Sequence, residues 1–155
     1  MACPLTPFAI AERWSLAFVN DRNIAAWAQE YFGKPLAVQI GADMRRSPEA
    51  DDAPFIAIFP DGSETGPQRQ DVTANIGLIV GITDEDFSAN AHGVAVMRGL
   101  LRLNELCPLL EKAMREALPK ARLQKIATEY EIMQYPLCMI MQTITVEESL
   151  PIGRR

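Results

Sequence analysis

"PFIAIFPDGSETGPQRQDVTANIGLIVGI", residues 54–82, is where the fold is decided. Val72, Ala74, Ile76, Leu78, Val80 and Ile82 all occupy even positions, and Thr73, Asn75 and Gly77 lie between them. Successive side chains of a strand point to opposite faces, so this alternation predicts an antiparallel strand over 72–82 with its even residues on a core. The preceding run 54–60 is apolar on both faces and predicts a strand inside the sheet. Between the two, residues 61–70 carry Gly62, Gly66 and Pro67 and read as a polar hairpin loop, longer than the two to five or so residues a hairpin needs.

Working outward towards the N-terminus, Thr6-Pro7 is a helix start, a capping hydroxyl followed by a proline at the first helical position. Ile10, Trp14, Ala17 and Phe18 follow at helical spacing. The pattern breaks at residues 20–23 and resumes as Ile24, Trp27, Ala28 and Tyr31 before Gly33 and Pro35. Residues 7–32 are therefore one helix with a polar kink, or two with Asn20 or Asp21 capping the second. Leu36, Val38 and Ile40 predict a short strand, and residues 41–53 an aperiodic loop.

Towards the C-terminus, residues 83–93 read as a connection and 94–118 as a helix, with Leu103, Cys107, Leu110, Met114 and Ala117 as its buried stripe. Gly99 and Pro108 interrupt that pattern. Pro108 is expected to kink or restart the helix near Leu106, and 94–99 has an extended alternative. Alternation over 126–132 and 138–146 predicts a closing antiparallel pair, with 148–155 as a peripheral tail. The order is α-β-β-β-α-β-β. With mostly short connections this is an α+β fold: a mostly antiparallel sheet of about five strands with helices packed on one face, in a single domain spanning 1–155.

Composition narrows function. The chain has 155 residues, 48% hydrophobic and 23% charged, which suits an ordinary globular domain. A net charge of −5 lacks the basic footprint of a duplex-binding module. No apolar run approaches the roughly 20 residues of a membrane helix, and the N-terminal residues do not read as a secretion signal. Cys3, Cys107 and Cys138 match no metal or redox spacing, which fits free thiols in a reducing compartment.

Catalytic candidates are thin. His92, the one histidine, has no nucleophile or carboxylate placed beside it by any motif. Asp84, Glu85 and Asp86 lack the spacing and the glycine of a calcium loop, and read as an acidic turn. Residues 60–66 share only glycines with a phosphate loop. No catalytic, cofactor-binding or metal-ligating residue is assigned, and no cofactor is expected. The weight shifts to surfaces, with Arg45 and Arg46 in the 41–53 loop, and Asp61, Glu64 and Arg69 in the hairpin loop, as candidate protein–protein contacts.

"PFIAIFP", "DVTANIGLIVGI", "LLRLNELCPLLEKAMREAL" and "YPLCMIMQTITVEE", in that order, resemble the tail terminator (tail completion) proteins of long-tailed bacteriophages over roughly residues 5–148. The likeness lies in size, element order and pattern, and includes a proline before an apolar last strand that ends in acidic residues. It implies a structural virion protein, synthesised in a host cytoplasm and incorporated at the phage neck. Six copies would form a ring that caps the tail tube protein and joins it to the head connector. DNA would pass through the lumen without specific binding, as an acidic surface favours. Two other readings stay open: another neck or connector ring of the same virion, and a small α+β enzyme or ligand-binding domain with an unrecognised site.

Overall fold

A computed structural model describes residues 5–43, 45–64, 71–131 and 135–149. They form three helices, α1 (Pro7–Asn20), α2 (Arg22–Phe32) and α3 (Arg98–Ala117). The strands are β1 (Ala37–Ile40), β2 (Phe55–Glu64), β3 (Asp71–Thr83), β4 (Phe87–Ala89), β5 (Ala95–Met97), β6 (Arg122–Glu131) and β7 (Leu137–Ser149). Five strands make one sheet in the order β1-β2-β3-β7-β6, antiparallel except for β1 beside β2, and β4 and β5 form a separate hairpin. The fold is α+β, as the periodicity predicts.

Helices 1 and 2 are separate because Asp21 interrupts the chain with extended backbone. Its carboxylate accepts hydrogen bonds from the Asn23 and Ile24 amides at 2.8 and 2.9 Å, which caps α2. Gly33, at φ 65°, closes α2 in the left-handed conformation that glycine adopts without a Cβ clash. Thr6 caps α1 through its hydroxyl.

The even residues of β3 are buried beneath all three helices. Ile76, Leu78 and Val80 lie with Ile56, Ile58, Ile140 and Ile144 against Ile10, Trp14, Ile24 and the α3 stripe. That stripe is Leu103, Leu106, Leu110, Ala113 and Met114. Cys107 and Ala117, expected on it, are half-buried beside it, so the helix is rotated slightly from the predicted face. Helix α3 is assigned as continuous through Pro108, with no restart near Leu106. The Arg102 guanidinium lies 3.7 Å from the centre of the Tyr31 ring and so ties α3 to α2.

Several boundaries differ from the sequence reading. Residues 61–64 continue β2 and are not loop: Gly62, Ser63 and Glu64 pair with Asn75, Ala74 and Thr73. A bulge at Asp61 absorbs the irregularity, and β1 ends opposite Ile58, so Pro60 meets no ladder on that side. The rest of the expected hairpin loop, residues 65–70, lies outside the described residues, as do Ile132 and residues 150–155 of the expected tail, whose first two residues, Glu148 and Ser149, instead extend β7 opposite Val72 and Asp71. Strand β6 begins at Arg122, four residues earlier than expected, because a register shift between Leu123 and Lys125 hides the alternation. The 83–93 connection contains β4, and residues 95–97 take the extended alternative, so α3 starts at Arg98.

Candidate protein-interaction surface

Among the described residues, one face of the sheet carries no α-helix. The ladders place Gln39, Ala57, Ile79, Met141 and Glu129 in a row across all five strands. The neighbouring row is Ala37, Phe55, Gly81, Met139 and Glu131. This face is apolar across β2, β3 and β7 and becomes polar at β6. Gly81 is required by the second row: the Phe55 ring lies directly over it, where a Cβ would collide. Phe55, Ala53, Leu137 and Met139 bury one another there, with Ile79 packed against them. Met141, next to this cluster, is 44% exposed.

Residues 41–43 and 45–53 lie over the β1 end of this face. Their short 3-10 turn, Ala50–Asp52, is capped by Glu49, whose amide donates to Asp52 Oδ2 at 2.9 Å. The Thr83 hydroxyl donates to the Ala50 carbonyl at 3.1 Å and so fastens the turn to β3. Arg46 then grips Asp52 with both terminal nitrogens, each at 2.8 Å. The charge-assisted bonds from Arg46 and the Glu49 amide hold the Asp52 carboxyl down at about 2. Between segment and sheet lies a recess of about 260 Å³, with Ala37, Phe55, Ala57 and Ile79 along its apolar side and Gln39, Asp43, Arg46 and Asp52 supplying polar atoms.

The expected contact residues do not converge on one patch. Arg46 stands at the recess, already engaged with Asp52. Arg45 is paired with Asp43 through Nε and Nη2, both at 2.9 Å, and its side chain is 90% exposed. That pairing also lowers the Asp43 carboxyl below its ordinary value. Asp61 and Glu64 are exposed on β2, not in a loop as the sequence reading placed them, and Arg69 lies outside the described residues. The segment 41–53 and the β2 end are thus separate features. The sequence reading took residues 54–60 as apolar on both faces but did not join Phe55 and Ala57 to Ile79 as one row. Its signal was present, since Phe55, Ala57 and Ile79 share odd numbering, on the side of the sheet away from the helices.

The catalytic candidates stay apart from one another. His92 is exposed in the β4–β5 turn, where the Asn90 carboxamide accepts from the His92 and Val94 amides. Asp84 accepts from the Asp86 amide, and Asp86 faces Arg98 at 3.6 Å. Burial raises the Cys107 and Cys138 thiols above their ordinary values, which disfavours the thiolate. Among the described residues no group of three or more His, Cys, Asp or Glu side chains is placed to hold a metal ion, and no helix is long and apolar enough to cross a membrane. No protein-family model matches the chain, and no curated protein sequence matches it.

Proposed function

We propose that the protein is a tail terminator of a long-tailed bacteriophage, a ring subunit that caps the tail tube and joins it to the head connector. Two things support the reading: the element order it shares with that family, and a sheet with one face left free of helices. The second carries more physical weight. Phe55, Ala57, Phe59, Ile79, Met139 and Met141 share that face, and it fades into charged residues at β6. Phe55, Ala57 and Met139 are buried there, Phe59 and Ile79 are half-buried, and Met141 is exposed, so the part of the face most open to another protein is Met141 with its polar neighbours towards β6. In a closed ring each subunit offers two different patches to its neighbours, and this face and the helix layer are chemically different surfaces.

The test is electron microscopy of tails carrying the protein, with copy number measured on purified tails. Six copies in a ring at the head-proximal end of the tube are expected. One or two copies per tail, or a location elsewhere in the particle, would rule the reading out. The recess beside Arg46 and Asp52 favours a second reading, a ligand-binding domain whose small polar ligand displaces that ion pair. Chemical-shift changes confined to the recess on titration with carboxylate or guanidinium compounds would support it.

A further inference from the structure

Strand β6 is the outer strand of the sheet, and among the described residues nothing pairs with its far side. It is ten residues long. A long bare edge is a template for another strand, and proteins blunt such edges with charge. Here the charge has a pattern. Lys125 and Glu129 are exposed, stand on the helix-free face opposite Thr145 and Met141, and have no ion-pair partner among the described residues. They flank the exposed Ala127 symmetrically.

We propose that β6 pairs antiparallel with β6 of a second copy of this chain, about a two-fold axis through Ala127, and so continues one sheet through both molecules. In this register Lys125 of each copy faces Glu129 of the other, twice over. On the opposite side of the sheet Ile126 faces Thr128, also twice, which places branched side chains against each other. Ala127 meets its own copy at the centre, where a small side chain allows close approach. Shifting the axis to Thr128 would put Ala127 against Glu129, and shifting it to Ile126 would put Lys125 against Ala127. Each loses the Lys125–Glu129 match. A foreign strand would have to present an acid opposite Lys125 and a base opposite Glu129 to do as well. The chain's own β6 does so by symmetry. The pairing is independent of the ring reading, since a two-fold contact and a closed ring use different operators.

The test uses the full chain. Lys125→Glu, Glu129→Lys and the double exchange Lys125→Glu/Glu129→Lys are compared by sedimentation equilibrium, with folding checked by circular dichroism. Each single reversal turns both cross-pairs into like charges and should weaken the dimer on the order of tenfold. The double exchange restores both pairs in swapped order and should recover dimerisation. Independently, Ala127→Cys should oxidise to a covalent dimer, with the 127–127 peptide link found by mass spectrometry and absent from the unsubstituted chain. Directly opposed residues lie about 4.5–5.5 Å apart between Cα atoms, within disulfide reach. A chain that remains monomeric at all concentrations, or a double exchange as weak as the single reversals, overturns the proposal. So does a dimer that forms without the 127–127 link, because its contact lies elsewhere. Loss of the ring with retention of that link would refute the tail-terminator reading and leave this one standing.

Discussion

Truncating Ile76 to alanine puts the register of the whole sheet to the test. Ile76 is fully buried, pairs with Pro60 on one side and Ile144 on the other, and lies beneath the helices. The substitution removes three carbons, worth about 0.8 kcal/mol each and roughly 2.4 kcal/mol together in transfer free energy. The space left behind adds to this. A residual cavity of about 50 Å³ at about 24 cal/mol per Å³ contributes about 1.2 kcal/mol more. The expected total is about 3.5 kcal/mol, which in a chain of this size lowers the melting temperature by about 10 °C. Ile79→Ala is the matched control. It lies three residues along on the helix-free face, is only half-buried, and should cost about 1 kcal/mol. The assay is urea unfolding followed by circular dichroism, comparing midpoints at equal slope. A one-residue slip would exchange the two faces. Ile79→Ala costing more than Ile76→Ala, or Ile76→Ala costing under about 0.5 kcal/mol, would refute the register and the fold built on it.

Three further outcomes follow from particular contacts. Gly81→Ala should cost about 1–3 kcal/mol in chemical unfolding, because the Phe55 ring occupies the space a Cβ needs; a neutral result would place the ring elsewhere. Gln142 is buried with its carbonyl oxygen unpartnered, while its amide nitrogen donates to the Thr128 hydroxyl at 3.1 Å and to Cys107 Sγ at 3.9 Å. Gln142→Met should therefore be neutral or stabilising in thermal unfolding, and a loss above about 1 kcal/mol would show that the carboxamide is held by more than Thr128 and Cys107. The folded Asp52 carboxyl lies at about 2, below its ordinary 3.8, so its hold on the 41–53 segment is complete above the ordinary value and is lost as pH falls through about 2. A carboxyl titration by NMR should find that midpoint near 2, and a midpoint near 4 would mean that Arg46 does not grip Asp52.

Much of the architecture is legible in the chain because burial on one side of a strand writes period two into it. The even positions of β3 show this directly. The pattern fails where the backbone steps out of period. The shift between Leu123 and Lys125 moves Leu123 onto the buried face out of phase with Lys125, so the alternation that begins at Ile126 does not extend back to it. Pro60, Asp61, Gly62 and Ser63 have the composition of a turn, yet the edge position of Pro60 and the bulge at Asp61 let the strand run through them. Strands β4 and β5 have three residues each, too few for any period to register. The candidate surface was half visible for a similar reason. Its apolar residues are readable as odd positions, but the Arg46–Asp52 grip joins two points of an aperiodic segment, and only the folded backbone brings them together.

The central ladder has a consequence for how the chain is made. Strand β3 pairs along its full length with β7, joining Asp71 to Ser149 and Thr83 to Leu137. On a ribosome, β2, β3 and the first two helices emerge while the partner of β3 is still untranslated. Strand β3, with its buried even residues, must then wait with one edge bare, and contacts between such distant residues form slowly. Nascent chains are therefore most prone to stick to one another in the interval before β7 is made. A chain cut before Leu137 cannot complete its sheet, because the partner of β3 is then missing along its whole length.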